Sequence, residues 1–240
     1  MYGSAFCRVY NEFGWNTYPE VFAEQLWVWL EQNGVKAQTA LDLGCGTGVL
    51  CQCLKERGVR AAGVDLSEGM IDIARGRAPE IPFAVANMIT YRPEERFDLV
   101  TCTGDAINHV FDPADVGRVF KNVFSYLKNG GYFIFDLLRD TEVPTGEPFE
   151  LDYSDSVKAR FLTTREESGV INLNISVFEN GKLQTEENIR EIVHDRSMIC
   201  ALLRDAGFDV VQFADRLLLD TDSHGTTWFV IARKPEPLSL

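Results

Sequence analysis

From Thr39 onward, short apolar runs alternate with segments whose apolar residues recur at three- and four-residue spacing. The runs at 39–43, 59–64, 82–86, 97–102 and 132–137 have the length and composition of buried strands. Helices are predicted between them at 48–57, from Ser67 to about Arg77, and from Asp112-Pro113 to Lys128, the last ended by Asn129-Gly130-Gly131. Ser67 caps its helix because the hydroxyl can accept from a free first-turn amide. This alternation needs crossover connections, hence a parallel sheet with helices on both faces.

The flanking regions have other patterns. Residues 1–18 are aromatic-rich without a clear period, and Pro19 then opens a helix carrying Phe22, Leu26, Trp29 and Leu30 at helical spacing. The strand–helix rhythm breaks after Arg139, and 141–148 reads as a linker. Ile171, Leu173, Ile175 and Val177 alternate with polar residues, the period of a half-buried strand. Asn180-Gly181 then signals a tight hairpin, with 185–193 as the return strand. Residues 148–194 are therefore expected to form an antiparallel inserted sheet. A helix at 195–206, stopped by Gly207, precedes two strands at 208–213 and 227–232 that close the main sheet.

Composition narrows the function classes. At 240 residues and 45% hydrophobic, the chain suits one domain with an inserted lobe. No apolar run approaches the roughly 20 residues that span a bilayer, and the first residues lack the basic and apolar regions of a secretory signal. The net charge of −13 repels a phosphate backbone, so no nucleic-acid partner and no membrane partner are expected. The six cysteines have neither disulfide-framework nor zinc spacing; they read as buried thiols of a cytoplasmic protein, and no metal is expected.

The chemistry concentrates in Leu41-Asp42-Leu43-Gly44-Cys45-Gly46-Thr47-Gly48, where a buried strand ends in alternate glycines and turns into a helix. Glycines let backbone approach a ligand closely, at the strand ends where open parallel sheets collect ligands. Dinucleotide sites want G-x-G-x-x-G. Here the third glycine comes one place early and Val49 fills the later slot. The second strand ends in Asp65, a carboxylate placed to accept both hydroxyls of a ribose. Together these features indicate an adenosine and argue against a pyrophosphate.

These segments resemble the motifs of class I S-adenosylmethionine-dependent methyltransferases. Leu41–Gly48 is similar to the first motif and Val64-Asp65-Leu66-Ser67-Glu68-Gly69-Met70 to the second. Ala86-Asn87-Met88, Phe97-Asp98-Leu99-Val100 and Leu127-Lys128-Asn129-Gly130-Gly131 resemble later ones, so the likeness runs in order over about 39–137. It implies an α/β, doubly wound, mostly parallel seven-stranded Rossmann-like sheet with a small antiparallel β insertion after the fifth strand. The implied division is an N-terminal helical lid segment at 1–38, a cofactor domain at 39–140 and 195–234, and the inserted lobe at 148–194. The cofactor would be S-adenosyl-L-methionine. Gly44, Gly46 and Gly48 would approach its methionine part, Asp65 its ribose, and Leu66, Asn87 and Met88 its adenine, with Met70 either a further cofactor contact or helix core. Asp42 would orient the turn or meet the amino group through water. Asn87 departs from the usual aspartate.

The acceptor side is less defined. Thr103, Asp105, Asn108 and His109 follow the fourth strand and would face the methyl, with Asp105 or His109 as candidate base. Thr103-Gly104-Asp105-Ala106 stands where DNA and RNA amino-methyltransferases carry an Asp/Asn-Pro-Pro-aromatic run. Tyr10 and Tyr18 would present aromatic faces to the sulfonium, and His194 would reach the acceptor pocket. The insertion resembles that of sugar-amine and glycine N-methyltransferases, which implies a small-molecule acceptor. Monomer and homodimer both remain open. The competing readings are a nucleotide-dependent oxidoreductase and a non-catalytic cofactor-binding regulatory protein.

Overall fold

The computed structural model describes residues 6–7, 10–11, 14–139, 145–214 and 227–237. In chain order the main layer contains α1 (Thr17–Gln32), β1 (Thr39–Leu43), α2 (Val49–Glu56), β2 (Arg60–Asp65), α3 (Glu68–Arg77), β3 (Phe83–Val85) and β4 (Phe97–Cys102). After a 3-10 turn at Ala106–His109 come α4 (Pro113–Tyr126) and β5 (Leu127–Leu138). Past the insertion, α5 (Arg196–Ala206) leads to two strands, Asp209–Ala214 and Thr227–Arg233. With the insertion's four strands counted between, these are β10 and β11. The seven-stranded sheet runs β3-β2-β1-β4-β5-β11-β10. All neighbours through β5 are parallel; β11 lies antiparallel to both β5 and β10.

Strand alternation sorts the core into two layers. Leu41, Val100, Phe133 and Phe135 pack with Val116, Phe120 and Val123 of α4 and Leu203 of α5. Ala40, Leu99 and Ile134 pack with Phe22 and Leu26 of α1, Leu50 of α2 and Ile71 of α3. Both faces are covered, which is why β1 is buried at all five positions and its sequence barely alternates. On the α1 side, the same parity places Asp42, Thr101 and Asp136 beyond the apolar layer, toward the carboxyl ends of their strands.

Local expectations hold where the cap chemistry is explicit. Ser67 Oγ accepts from Met70 N–H at 3.4 Å, and Asp195 Oδ1 accepts from Met198 N–H at 2.9 Å. One boundary differs. The helix expected to reach Lys128 ends at Tyr126, and 127–131 already belong to β5. Distant segments meet this end: Leu127 pairs with Phe97 of β4, and Lys234 donates its ammonium to the carbonyls of Phe124 (2.6 Å) and Leu127 (2.9 Å). Those are the last-turn acceptors that a helix leaves unpaired.

The insertion is a separate four-stranded antiparallel sheet: β6 (Phe149–Asp152), β7 (Val157–Arg165), β8 (Val170–Glu179) and β9 (Lys182–Ile192), in that order. The hairpin closes through Asn180 (φ 50°) and Gly181 (φ 73°), both left-handed as a two-residue primed turn requires. Glu179 therefore pairs with Lys182, and the return strand starts three residues before the expected 185. The inner face carries Ala159, Phe161, Ile175, Val177 and Ile189, and Phe6 of the N-terminal segment packs on it. Of the expected linker at 141–148, residues 141–144 lie outside the described residues and 145–148 form no helix or strand. Among the described residues no helix is long and apolar enough to cross a membrane.

Candidate active site

Beyond β1 the chain enters a turn that only glycine accommodates. Gly44 has φ 71° and Gly46 has φ 52°, in the region where a Cβ is strained. A Cβ on Gly44 would lie 2.8 Å from Ala106 Cβ and 3.7 Å from Met88 Cε, so three separate segments converge over this backbone. A Cβ on Gly46 would meet nothing within 4 Å, which leaves bare backbone facing open space. Gly48 instead serves packing, its missing side chain replaced by Phe83 and Ala74. The turn is tied to β2 by Gly44 N–H and Cys45 N–H, which both donate to Val64 O at 2.8 and 3.0 Å.

Asp65 closes one side of this space. Its Oδ2 accepts from Gly46 N–H at 2.9 Å and its Oδ1 from Ser67 N–H at 2.8 Å. With Gly46 N–H on one oxygen and Ser67 N–H on the other, the described residues leave lone pairs for a ligand hydroxyl. Burial pushes this carboxyl above its ordinary pKa, against the pull of those amides. Leu66 beside it is 48% exposed, an apolar side chain without a cover. Asn87 is exposed, and its Oδ1 accepts from Ile89 N–H at 2.9 Å, shaping the turn that carries Met88. Met70 has no exposed surface: it anchors α3 from within the core. Asp42 sits opposite Thr101 in the sheet register and accepts from its hydroxyl at 2.7 Å. Burial, with smaller repulsion from Asp65 and Asp136, pushes Asp42 up to about 7.

A second set of groups gathers where β4 ends. Thr103 is buried, and Asp105 adopts φ 60°, a left-handed conformation uncommon outside glycine and asparagine. The loop is held by Asp136, fully buried on β5. Asp136 Oδ2 accepts from Gly104 N–H and Oδ1 from Asp105 N–H, both at 2.9 Å, and the Tyr18 hydroxyl donates to Oδ2. Asp105 Oδ1 is buried with no hydrogen-bond partner among the described residues. Burial, then repulsion from Asp136 and Glu191, holds Asp105 well above the usual carboxylate range. Glu191, on the inserted β9, is pushed up to about 7 by burial and by Asp136.

His109 bridges the main layer and the insertion. Its Nδ1 lies 2.9 Å from Arg190 O, and a carbonyl only accepts, so Nδ1 carries the proton. Nε2 then faces Glu191 Oε1 at 3.6 Å, and burial keeps the ring's pKa below the usual histidine value. Two other candidates belong to the framework. Asn108 donates to Ile192 O at 2.7 Å and accepts from Leu138 N–H at 3.1 Å, so both ends of its amide are engaged. His194 is buried with Nε2 3.4 Å from Ile107 O, which fixes the 3-10 turn.

The N-terminal segment crosses this region. Cys7 Sγ lies 3.6 Å from Ser67 Oγ, and Thr47 of the glycine turn donates to Asn11 Oδ1 at 3.1 Å. Tyr10 packs edge-on against Trp15 at 5.1 Å. Its hydroxyl is pushed up to about 12 by burial, with added repulsion from Asp65 and Asp105, so it lies within electrostatic reach of both. The structure thus gathers Gly44, Gly46, Asp65, Met88, Thr103, Asp105, His109 and Tyr10 around one region, with Asp42 beneath it. Asp136 and Glu191 were missed from sequence. A lone carboxylate inside Phe133-Ile134-Phe135-Asp136-Leu137 was a readable signal; Glu191 had none, being one acid among several on β9. Among the described residues no group of three His, Cys, Asp or Glu is placed to hold a metal ion.

Comparison with known proteins agrees with this geometry. A family model described as a methyltransferase domain matches residues 40–131. A ubiquinone biosynthesis O-methyltransferase of Coxiella burnetii (strain RSA 331) is 31% identical over 161 residues, 60% of this chain and 67% of the relative. Other curated relatives align over as little as 41% of their length. A crystal structure of an S-adenosylmethionine-dependent methyltransferase from Clostridium acetobutylicum superposes with TM-score 0.79 at 23% identity, covering 89% of this chain and 90% of that one. An amino pentose methyltransferase of Micromonospora echinaspora, bound to S-adenosylmethionine, gives 0.76 at 19% identity over 98% of both chains. These two likenesses establish a shared fold.

Proposed function

The chain belongs to the class I S-adenosylmethionine-dependent methyltransferases, and from that premise we propose that it transfers a methyl group to a small-molecule acceptor. The observation that carries this reading is the bare backbone at Gly46 facing open space beside Asp65, at the point where the sheet order reverses between β1 and β4. A ligand with a ribose fits this donor set, since among the described residues each Asp65 oxygen keeps a lone pair and no side chain blocks the turn. In the proposed site Gly44 and Gly46 shape the cradle, Gly48 packs behind it, Asp65 holds the ribose, and Leu66 and Met88 cover the adenine. Asp42 steadies the turn from beneath.

The bound cofactor supplies a methyl carbon on a positively charged sulfur, and the protein's task is to hold an acceptor in line with it. Asp136 does part of that task indirectly, by holding the Thr103–Asp105 loop through two backbone amides. We further read the N-terminal segment as a lid. Cys7, Asn11 and Tyr18 attach it to Ser67, Thr47 and Asp136, so it spans both halves of the site. The acidic balance of the chain supports a small acceptor over a nucleic acid.

The test is formation of S-adenosylhomocysteine from S-adenosylmethionine with a panel of small amines, phenols and hydroxy acids. Turnover on a panel member supports the reading, and turnover confined to protein or tRNA contradicts it. Cofactor binding without turnover on the panel or on cell extracts would instead favour a regulatory protein.

A further inference from the structure

The relatives do not agree on the acceptor atom: one is an O-methyltransferase and one is named for an amino pentose. The groups around Asp105 bear on that choice. Asp136 approaches from β5 and Glu191 from β9. Tyr10 and Tyr18 approach from the N-terminal segment, and His109 from the adjoining 3-10 turn. Among the described residues none of the three carboxylates is paired with a lysine or arginine. The neighbouring cation, Arg190, is 3.1 Å from Glu166 and lies over the Phe111 ring, so it is committed elsewhere. Both Asp136 oxygens are engaged, by two amides and a hydroxyl, whereas Asp105 Oδ1 is buried with no partner among the described residues. A buried acceptor without a donor costs about 1–3 kcal/mol, and a ligand that supplies the donor recovers it.

Resting on the reading above, we infer that Asp105 and Glu191 form the acceptor subsite and that this subsite takes a cationic primary or secondary amine. The ammonium supplies the hydrogen-bond donor that Asp105 Oδ1 lacks among the described residues, and a positive charge that no lysine or arginine among them gives these carboxylates. Phenolates and carboxylates would face like charge and gain no donor. The same groups handle the proton that amine chemistry requires. The ammonium N–H bond breaks, its proton passes to an Asp105 oxygen, and its electron pair stays on nitrogen as the lone pair that forms the new N–C bond. The carbon–sulfur pair remains on sulfur. Burial and repulsion from Asp136 and Glu191 raise the proton affinity of Asp105, the direction that this transfer needs. Glu191, standing on the inserted sheet against His109, makes the insertion a determinant of acceptor choice.

The experiment combines turnover with calorimetry on the full-length protein. Amines on sugars, amino acids and alkyl chains are compared with matched alcohols and phenols, and the amines are titrated into enzyme saturated with S-adenosylhomocysteine. Asp105→Asn keeps the left-handed backbone, which asparagine tolerates, and Glu191→Gln keeps the side-chain shape. Amines are expected to turn over and phenols not. Asp105→Asn should weaken amine binding at least tenfold and Glu191→Gln severalfold, with S-adenosylmethionine affinity within twofold of wild type in both. Turnover of phenols or acids without amines overturns the inference, as does amine binding unchanged in both variants. A loss of S-adenosylmethionine affinity with S-adenosylhomocysteine affinity unchanged also overturns it, because the cluster would then serve the sulfonium. Failure of wild type to bind either cofactor form would instead refute the methyltransferase reading itself.

Discussion

Replacing Asp42 by asparagine should stabilise the protein at neutral pH and leave it unchanged in acid. Asp42 is 3% exposed, and among the described residues its side chain accepts a hydrogen bond from Thr101. A carboxyl raised from 3.8 to about 7 binds its proton more tightly in the folded chain than in the unfolded one. Below pH 4 both states are protonated and there is no penalty. Between pH 4 and 7 the unfolded chain ionises first, so folding stability falls as pH rises, and above pH 7 the full cost of the buried charge remains. At 1.36 kcal/mol per pH unit that cost has an upper limit of about 4 kcal/mol. Solvent and protein relaxation reduce it, so a net gain of about 1–3 kcal/mol is expected from Asp42→Asn above pH 7. The amide oxygen still accepts from Thr101, so the substitution removes the charge while keeping the bond. Asp105, Asp136 and Glu191 are raised too and will make wild-type stability fall as pH rises. The informative quantity is therefore the difference between variant and wild type in urea unfolding at pH 4, 5.5, 7 and 8. A difference that does not grow with pH would refute the reasoning.

Three other substitutions probe the framework. Gly44→Ala forces a left-handed alanine and a 2.8 Å approach to Ala106; it should cost about 2–3 kcal/mol in urea unfolding, and a loss below 0.5 would show that the turn has room. Tyr18→Phe removes the hydroxyl donor to Asp136 and should cost about 1.5–3 kcal/mol, measured the same way. Lys234→Met leaves the carbonyls of Phe124 and Leu127 without their buried donor, for a loss of about 2–3 kcal/mol; an unchanged unfolding midpoint would remove the cation from the account of where α4 ends.

What could be read from the sequence was what local chemistry encodes. The glycine turn, the Ser67 cap and the Asn180-Gly181 hairpin each need a particular residue for a particular backbone conformation, and each lies where that residue implies. Contacts between distant segments were not legible. The Asn129-Gly130-Gly131 stop looked like the end of α4, but Leu127 already pairs with Phe97 in the sheet and its carbonyl accepts from Lys234, 107 residues away. Asn108 and His194 carried donors suited to chemistry, and only the structure shows those donors spent on backbone carbonyls. Asp136 became significant once β5 placed it beneath Gly104 and Asp105. Glu191 became significant once β9 brought it against His109.

S-adenosylmethionine is expected to occupy the open space beside Gly46 and Asp65. Calorimetric titration of that cofactor into purified wild type and Asp65→Ala tests it most directly. Micromolar binding to wild type, weakened at least tenfold by the substitution (roughly 1.4 kcal/mol), is the predicted result. Correctly folded wild type that binds no cofactor, or an Asp65→Ala variant that binds it as tightly as wild type, would contradict the claim.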